Sequence, residues 1–296
     1  MRKPIGALIG ADGQLGTDLQ KYLPMHFELV CLTIKDIDIT QFDSIDACLS
    51  QCNPDIVLST AGFHDVPFCE EDPVNSFLVN TVGTKYLTDW CFYNQSKLVF
   101  ISTDYVFNGE KNSPYVEDDV PDPINTYGIS KYAGELYIKH HLENHAIIRT
   151  TGLYGDNACL GKPVANFYRM FVNLIKNKDV VEFDGKEICS PTNTLDLSKQ
   201  IDTMLLHDVK GTFHAVNDGY CSWFEFGQAI IEELGASTTL QFVERPNPPA
   251  MKELEYQPIN RPHFTALENK HLKELGIYQM SHWRDALHEF VKKNSE

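Results

Sequence analysis

Leu98-Val99-Phe100-Ile101-Ser102-Thr103-Asp104-Tyr105 and, after a polar segment containing prolines, Tyr127-Gly128-Ile129-Ser130-Lys131-Tyr132-Ala133-Gly134 are the stretches that organise this chain. The first is a short apolar run that ends abruptly in hydroxyl and acid groups, the pattern of a buried strand with a reactive end. In the second, Tyr127 and Lys131 stand four residues apart, which on a helix puts both on one face, a turn apart. A free tyrosine titrates at about 10 and is a poor acid–base group at neutral pH. A neighbouring ammonium favours the phenolate, so Lys131 is expected to lower that value. Helices carry such pairs by chance, and the rest of the chain has to supply the context.

Working outward, Ile5 to Ile9 reads as a strand, and a helical pattern runs to about Leu23 after Gly10-Ala11-Asp12-Gly13-Gln14-Leu15-Gly16. Glycines 10, 13 and 16 between strand and helix permit a tight turn and let a pyrophosphate approach backbone N–H groups at the helix start. Phe27 to Leu32 is a second strand, ending in Thr33-Ile34-Lys35 with no acid at its tip, which leaves room for a 2′-phosphate facing Lys35. Asp38-Ile39-Thr40 reads as a loop ending in a Thr40 helix cap, with Asp38 a candidate for the adenine edge. Asp55 to Ser59 is a third strand, closed by the small residues Thr60-Ala61-Gly62 before Phe63. A long helix is expected from about Pro73 to Tyr93, containing Asn80. Strands at Leu98 to Ser102 and His145 to Arg149 flank the Tyr127 helix.

This alternation predicts an α/β fold: a doubly wound parallel sheet with ligands beyond the carboxyl ends of its strands. Farther on, helices are expected over Val164 to Lys176, Thr194 to His207, Ser222 (as cap) to Leu234, Leu267 to Leu275 and Ser281 to Lys292. Strands are expected at Val180 to Phe183 and Thr212 to Val216. The domain division expected is a dinucleotide-binding domain over 1–155 plus roughly 164–215. A smaller substrate-binding lobe then takes roughly 156–163 and 216–296, and Gln241 to His263 is rich in proline.

The 296 residues carry a formal charge of −16, which argues against nucleic acid or an anionic membrane as partner. The apolar run after Met1-Arg2-Lys3 is broken by Gly6, Gly10, Asp12 and Gly13, so a strand is expected there and not a signal peptide. Eight cysteines without a secretion signal suggest reduced core residues, and no second metal-type pair accompanies Cys48 and Cys52. A cytoplasmic protein without a metal is the expectation.

Taken together, these residues resemble the extended short-chain dehydrogenases/reductases, and within them the dTDP-4-dehydrorhamnose reductases. The matching pieces are Gly10 to Gly16, Asp38-Ile39-Thr40, Asn80, Ser102 to Gly109, Tyr127-Gly-x-Ser-Lys131-x-x-Gly134-Glu135, Arg149-Thr150, Leu153-Tyr154-Gly155, Ser190-Pro191-Thr192, Gly211 to His214 and Arg261-Pro262. The resemblance implies NAD(P)H-dependent reduction of the C4 ketone of a nucleotide-linked 4-keto-6-deoxy sugar. Tyr127 would protonate the carbonyl oxygen, Thr103 would hydrogen-bond it, and Lys131 would hold the nicotinamide ribose. Expected cofactor contacts are Gly10, Asp12, Gly13, Gln14, Leu15, Gly16, Lys35, Asp38, Ile39, Ala61, Gly62, Phe63, Asn80, Ser102, Tyr127 and Lys131. Expected substrate contacts are Thr103, Tyr105, Tyr127, Gly152, Asn166 and Arg261.

NADPH or NADH is the expected cofactor, with NADPH favoured. The expected partner is a nucleotide sugar, with a homodimer as one candidate assembly. Tyr105 stands where sister 4,6-dehydratases carry a glutamate, which disfavours dehydration. A non-catalytic regulatory subunit and a nucleotide-sugar epimerase are the alternatives on this scaffold. Gly152 replaces a tryptophan usual in the resembled reductases, so two expectations compete: a wider sugar pocket, or another side chain restoring the wall. His64 is an unusual residue beside the expected nicotinamide position.

Overall fold

A computed structural model describes residues 2–157, 166–176, 178–243 and 259–295. Positions 158–163 of the expected loop, 164–165 of the expected helix and 244–258 of the proline-rich stretch lie outside the described residues. The first half of the chain contains β1 (Ile5–Ile9), α1 (Gln14–Tyr22), β2 (Glu28–Leu32), α2 (Phe42–Cys52), β3 (Ile56–Ser59), α3 (Val66–Glu71), α4 (Pro73–Phe77), α5 (Thr84–Asn94), β4 (Lys97–Thr103), α6 (Thr126–His141) and β5 (His145–Thr150). The second half contains β6 (Leu153–Tyr154), α7 (Phe167–Ile175), β7 (Val180–Phe183), β8 (Ile188–Cys189), β9 (Thr192–Asn193), α8 (Thr194–Leu206), β10 (Gly211–His214), β11 (Cys221–Ser222), α9 (Trp223–Leu234), β12 (Thr239–Phe242), α10 (Lys270–Glu274) and α11 (Trp283–Ser295).

Six strands form one sheet in the order β10-β5-β4-β3-β1-β2, every neighbouring pair parallel. A parallel sheet must be covered on both faces, and alternation along each strand supplies both. Val99 and Ile148 point into a core with Leu15 and Leu19 of α1 and Leu197 and Ile201 of α8. Leu98, Phe100 and Ile147 point the other way, onto Ile45 and Leu49 of α2, Leu87 and Trp90 of α5 and Ile138 of α6. The chain runs from β1 to β2 on one side and then crosses to β3 on the other. Strands β1 and β3 therefore splay their loops apart at the switch point where ligands bind in such sheets.

A third core joins Tyr154, Phe171, Ile175 and Val181 to Phe226, Ile230, Trp283 and Leu287. The stretch 164–215, expected as one block with the sheet, is thus shared between two cores. Its described α7 and β7 residues pack into the third, while α8 and β10 pack against the sheet. Ser222 caps α9 through a reciprocal box, its Oγ accepting from Glu225 N at 3.1 Å while Ser222 N donates to Glu225 Oε2 at 2.8 Å.

Two local expectations fail. Thr40 does not cap α2: the cap position is Gln41, and Thr40 N and Oγ1 both donate to Asp38 Oδ1, closing a turn. The helix expected from Pro73 to Tyr93 is interrupted by a π-helical turn, Leu78–Gly83, between α4 and α5. Such turns recur at functional sites, and this one carries Asn80. Among the described residues no helix is long and apolar enough to cross a membrane.

Candidate active site

At the switch point, Gly10 follows β1 with φ +80°, and a Cβ there would lie 2.6 Å from Thr60 Oγ1, beyond the end of β3. A Cβ on Gly16 would overlap the Gly10 carbonyl, so the helix can lie against the turn only as glycine. Helix α1 begins after Gly13 with no side-chain cap, which leaves the N–H groups of its first turn for an anion. Gln14 is buried, and its Nε2 has no hydrogen-bond partner. An orphaned amide beside an uncapped helix start fits a pyrophosphate. Asp12 is exposed within the turn. Asn166, expected at the substrate, instead donates through Nδ2 to Gln14 Oε1 at 3.2 Å and to the Gly155 carbonyl at 3.3 Å, and its Oδ1 caps α7.

One residue past Thr33-Ile34-Lys35, after β2, stands Asp36. Asp36 Oδ2 accepts from Thr33 N and Thr33 Oγ1, both at 2.8 Å, and these bonds hold the carboxyl below its ordinary pKa. The carboxylate is folded back on its own turn, and Lys35 beside it is exposed. Asp38 Oδ1 likewise accepts from Thr40 N and Oγ1, while Ile39 is buried.

Beyond β3, Ala61, Gly62 and Phe63 line the approach to α6. Asn80 clamps this segment: its Oδ1 accepts from Phe63 N at 2.9 Å and its Nδ2 donates to Phe63 O at 2.8 Å and Ser130 Oγ at 3.0 Å. Asn80 thereby fixes the backbone of the segment expected at the nicotinamide. A Cβ on Gly62 would stand 3.8 Å from Lys131 Nζ. His64 Nδ1 lies 3.0 Å from the Gly62 carbonyl.

Tyr127 stands in the first turn of α6, which is fixed twice over. Asn125 Oδ1 accepts from Gly128 N at 2.9 Å, and Glu70 of α3 accepts from Thr126 N and Oγ1, both at 2.7 Å. The Tyr127 hydroxyl is hydrogen-bonded to Thr103 at the end of β4. Burial pushes that hydroxyl well above the ordinary tyrosine range, and the Thr103 bond pulls only weakly the other way. Burial also draws Lys131 down to about 7, against the attraction of Glu135. The expected lowering of the tyrosine by Lys131 is therefore outweighed: desolvation disfavours both charged forms. Lys131 Nζ donates to the Ile101 carbonyl at 2.6 Å and sits 3.8 Å over the Phe100 ring.

The Tyr105 ring packs edge-on to Tyr127, with centroids 6.0 Å apart. Burial pushes the Tyr105 hydroxyl up to about 12, and Arg261, hydrogen-bonded to it, opposes this. Tyr105 and Arg261, expected together at the substrate, do meet.

Ser102, expected at the cofactor, turns its hydroxyl away. It donates to Glu135 Oε1 at 2.6 Å, and Glu135 forms a buried bidentate pair with Arg149 at 2.7 and 3.0 Å. Gly152 has φ +60°, and a Cβ there would meet Pro191 Cα at 3.1 Å and Cys189 Sγ at 3.4 Å. The backbone favours glycine here, and a side chain at this position would point into the 189–191 segment. The contrast between a lost wall and a restored one does not apply to this conformation.

Sequence reasoning missed Asp104, Thr151, Thr265 and Glu70 as parts of the site. Asp104 was visible within the Ser-Thr-Asp-Tyr string, and Glu135 within Gly134-Glu135. Thr151 and Thr265 reach Asp104 through tertiary folding and carry no local signal.

A family model described as RmlD substrate binding domain matches residues 7–296. The chain belongs to the RmlD substrate-binding-domain family. Within it, this RmlD-family chain is 35% identical over 288 residues to the spore coat polysaccharide biosynthesis protein SpsK of Bacillus subtilis (strain 168), covering 97% of this chain and 96% of that one. It is 31% identical to a dTDP-4-keto-6-deoxy-D-glucose reductase of Streptomyces niveus, covering 94% and 93%. The RmlD-family fold superposes on a dTDP-4-dehydrorhamnose reductase from Bacillus anthracis str. Ames, solved in complex with NADP, with a TM-score of 0.88 and 30% identity, over 99% and 100% of the chains. The doubly wound sheet, glycine turn and Tyr-x-x-x-Lys helix make this RmlD-family member an extended short-chain dehydrogenase/reductase.

Proposed function

We propose that this chain reduces the C4 ketone of a nucleotide-linked 4-keto-6-deoxy sugar with NADPH or NADH, in the manner of a dTDP-4-dehydrorhamnose reductase. One observation carries the reading: the hydroxyls of Thr103 and Tyr127 are hydrogen-bonded at the carboxyl end of β4, with Lys131 one helical turn from Tyr127. The relatives named as reductases of such sugars support it.

The residues fit a dinucleotide. Gln14 and the first turn of α1 would hold the pyrophosphate, the Asn80-clamped backbone of Ala61 to Phe63 would flank the nicotinamide, and Lys131 would hold its ribose. When bound, the nicotinamide supplies the hydride. Tyr127 gives its proton to the ketone oxygen and Thr103 hydrogen-bonds that oxygen, so the charge developing there is met by two preorganised hydroxyls. Because Tyr127 is held neutral by burial, it is a proton donor and not a base in the reductive direction. Tyr105 and Arg261, which meet beside Tyr127, would contact the sugar nucleotide.

The test is NADPH oxidation on addition of dTDP-4-dehydrorhamnose and of related nucleotide 4-keto sugars. Turnover of one or more is expected. No turnover of any, with dinucleotide binding intact, would favour a regulatory subunit. NAD released from the purified, denatured protein would favour an epimerase.

A further inference from the structure

Asp104 is a buried carboxylate at the reacting end of β4, and no lysine, arginine or histidine among the described residues pairs with it. The other fully buried acid near the site, Glu135, has Arg149. Asp104 is met by hydroxyls and by its own backbone N–H. Thr103 Oγ1 donates to Oδ1 at 3.0 Å, Thr151 Oγ1 beyond β5 donates to Oδ2 at 2.7 Å, and Thr265 from the C-terminal segment adds a third hydrogen bond. An ionised carboxylate in a dry site without a cation is costly, and such groups concentrate at functional sites.

The proton inventory of Thr103 shows what it could do there. Thr103 has one proton, and in this arrangement it is committed to Asp104. Its oxygen also accepts from Tyr105 N at 3.2 Å, which leaves its other lone pair for the Tyr127 hydroxyl to donate to. A Thr103 so bound has no donor left for a substrate oxygen. If Asp104 carries a proton, the carboxyl O–H donates to Thr103 Oγ1 and the threonine proton is free to point outward.

We propose that Asp104 is a positioning residue whose protonation sets the direction of the Thr103 hydrogen bond, the acid form aiming the Thr103 hydroxyl at the substrate ketone. This rests on the ketone-reduction reading above. Burial raises Asp104 to about 6, which puts both forms within reach of physiological pH. The titratable groups that face it are Tyr105 beside it, Tyr127 from α6 and the Cys189 thiol from β8, with Arg261 acting through Tyr105.

Two readouts test it on the full chain. The first needs no turnover: infrared titration should show a carboxyl C=O band that disappears as pH rises through about 6 and is missing in Asp104→Asn. The second is the pH profile of kcat/KM. Wild type should fall by about tenfold as Asp104 ionises, since a weakened donor costs less than the 10²–10³ of a deleted one. Asp104→Asn, whose amide always donates, should lack that limb. Losses caused by Lys131 occur in both proteins and cancel in their ratio. Thr151→Val removes a hydrogen bond from the carboxylate and should move the limb and the band to higher pH, and it serves as the test if Asp104→Asn does not fold. A limb that persists in Asp104→Asn, or a band and limb unmoved in Thr151→Val, overturns the proposal. A wild type that titrates in the infrared but reduces no ketone overturns the proposed function and leaves the Asp104 titration established.

Discussion

Tyr127 and Lys131 are governed by burial before they are governed by each other. Lys131, lowered to about 7, loses its charge as pH rises through that value. Since kcat/KM reports the free enzyme, a reductase that needs the ammonium should lose kcat/KM further above about pH 7, a limb that also remains in Asp104→Asn. A profile flat from pH 6 to about pH 9 would contradict this sign. Replacing Tyr127 by Phe keeps the ring against Tyr105 but deletes the proton donor. Turnover should drop by about 10²–10⁴-fold with dinucleotide affinity nearly intact, read by steady-state kinetics and by fluorescence titration. At Gly152, with φ +60°, even alanine is strained. Gly152→Ala should cost about 1–2 kcal/mol in urea unfolding, and no loss would show that the turn relaxes freely.

At the scale of elements, the strands of the parallel sheet and the grouping of Thr103, Tyr127 and Lys131 were legible because they are written locally. A β-branched run ending in Ser102-Thr103, a glycine turn between strand and helix, and a four-residue Tyr–Lys spacing each depend on a few neighbours. What was not legible depends on partners distant in sequence. Ser102 was expected as a cofactor contact, but the pleat sends adjacent side chains to opposite faces, and on its face Glu135, itself paired with Arg149, takes the hydroxyl. That buried ion pair ties β4, α6 and β5 at the level of the site. Glu135→Gln should leave Arg149 uncompensated and lower stability by about 3–5 kcal/mol, measured by denaturant unfolding. The turn after β2 was read as free of an acid at its tip; Asp36 lies one residue past Lys35 and folds back onto Thr33, which leaves that reading standing. With that carboxylate occupied, NADPH should be accepted at least as well as NADH, and a preference of about tenfold or more for NADH in kcat/KM would contradict this.

Across the whole molecule, the sheet and its two covering layers carry the reacting ends of β1, β3 and β4, while a third core packs α7, α9 and α11 together. We propose that the substrate-binding lobe is built on that third core and includes α7 and β7. Thr265 and Arg261 bring the C-terminal segment to Asp104 and Tyr105, so the site is completed only when both parts are folded. The central claim is that a hydride reaches C4 of the sugar while Tyr127 protonates its oxygen. Turnover of dTDP-4-dehydrorhamnose with NADPH deuterated at the transferable position of nicotinamide C4 tests this most directly, with the product sugar read by NMR. The account predicts a single deuterium at C4 and almost none in Tyr127→Phe over the same time. A product without deuterium at C4, or labelling that survives undiminished in Tyr127→Phe, would contradict it.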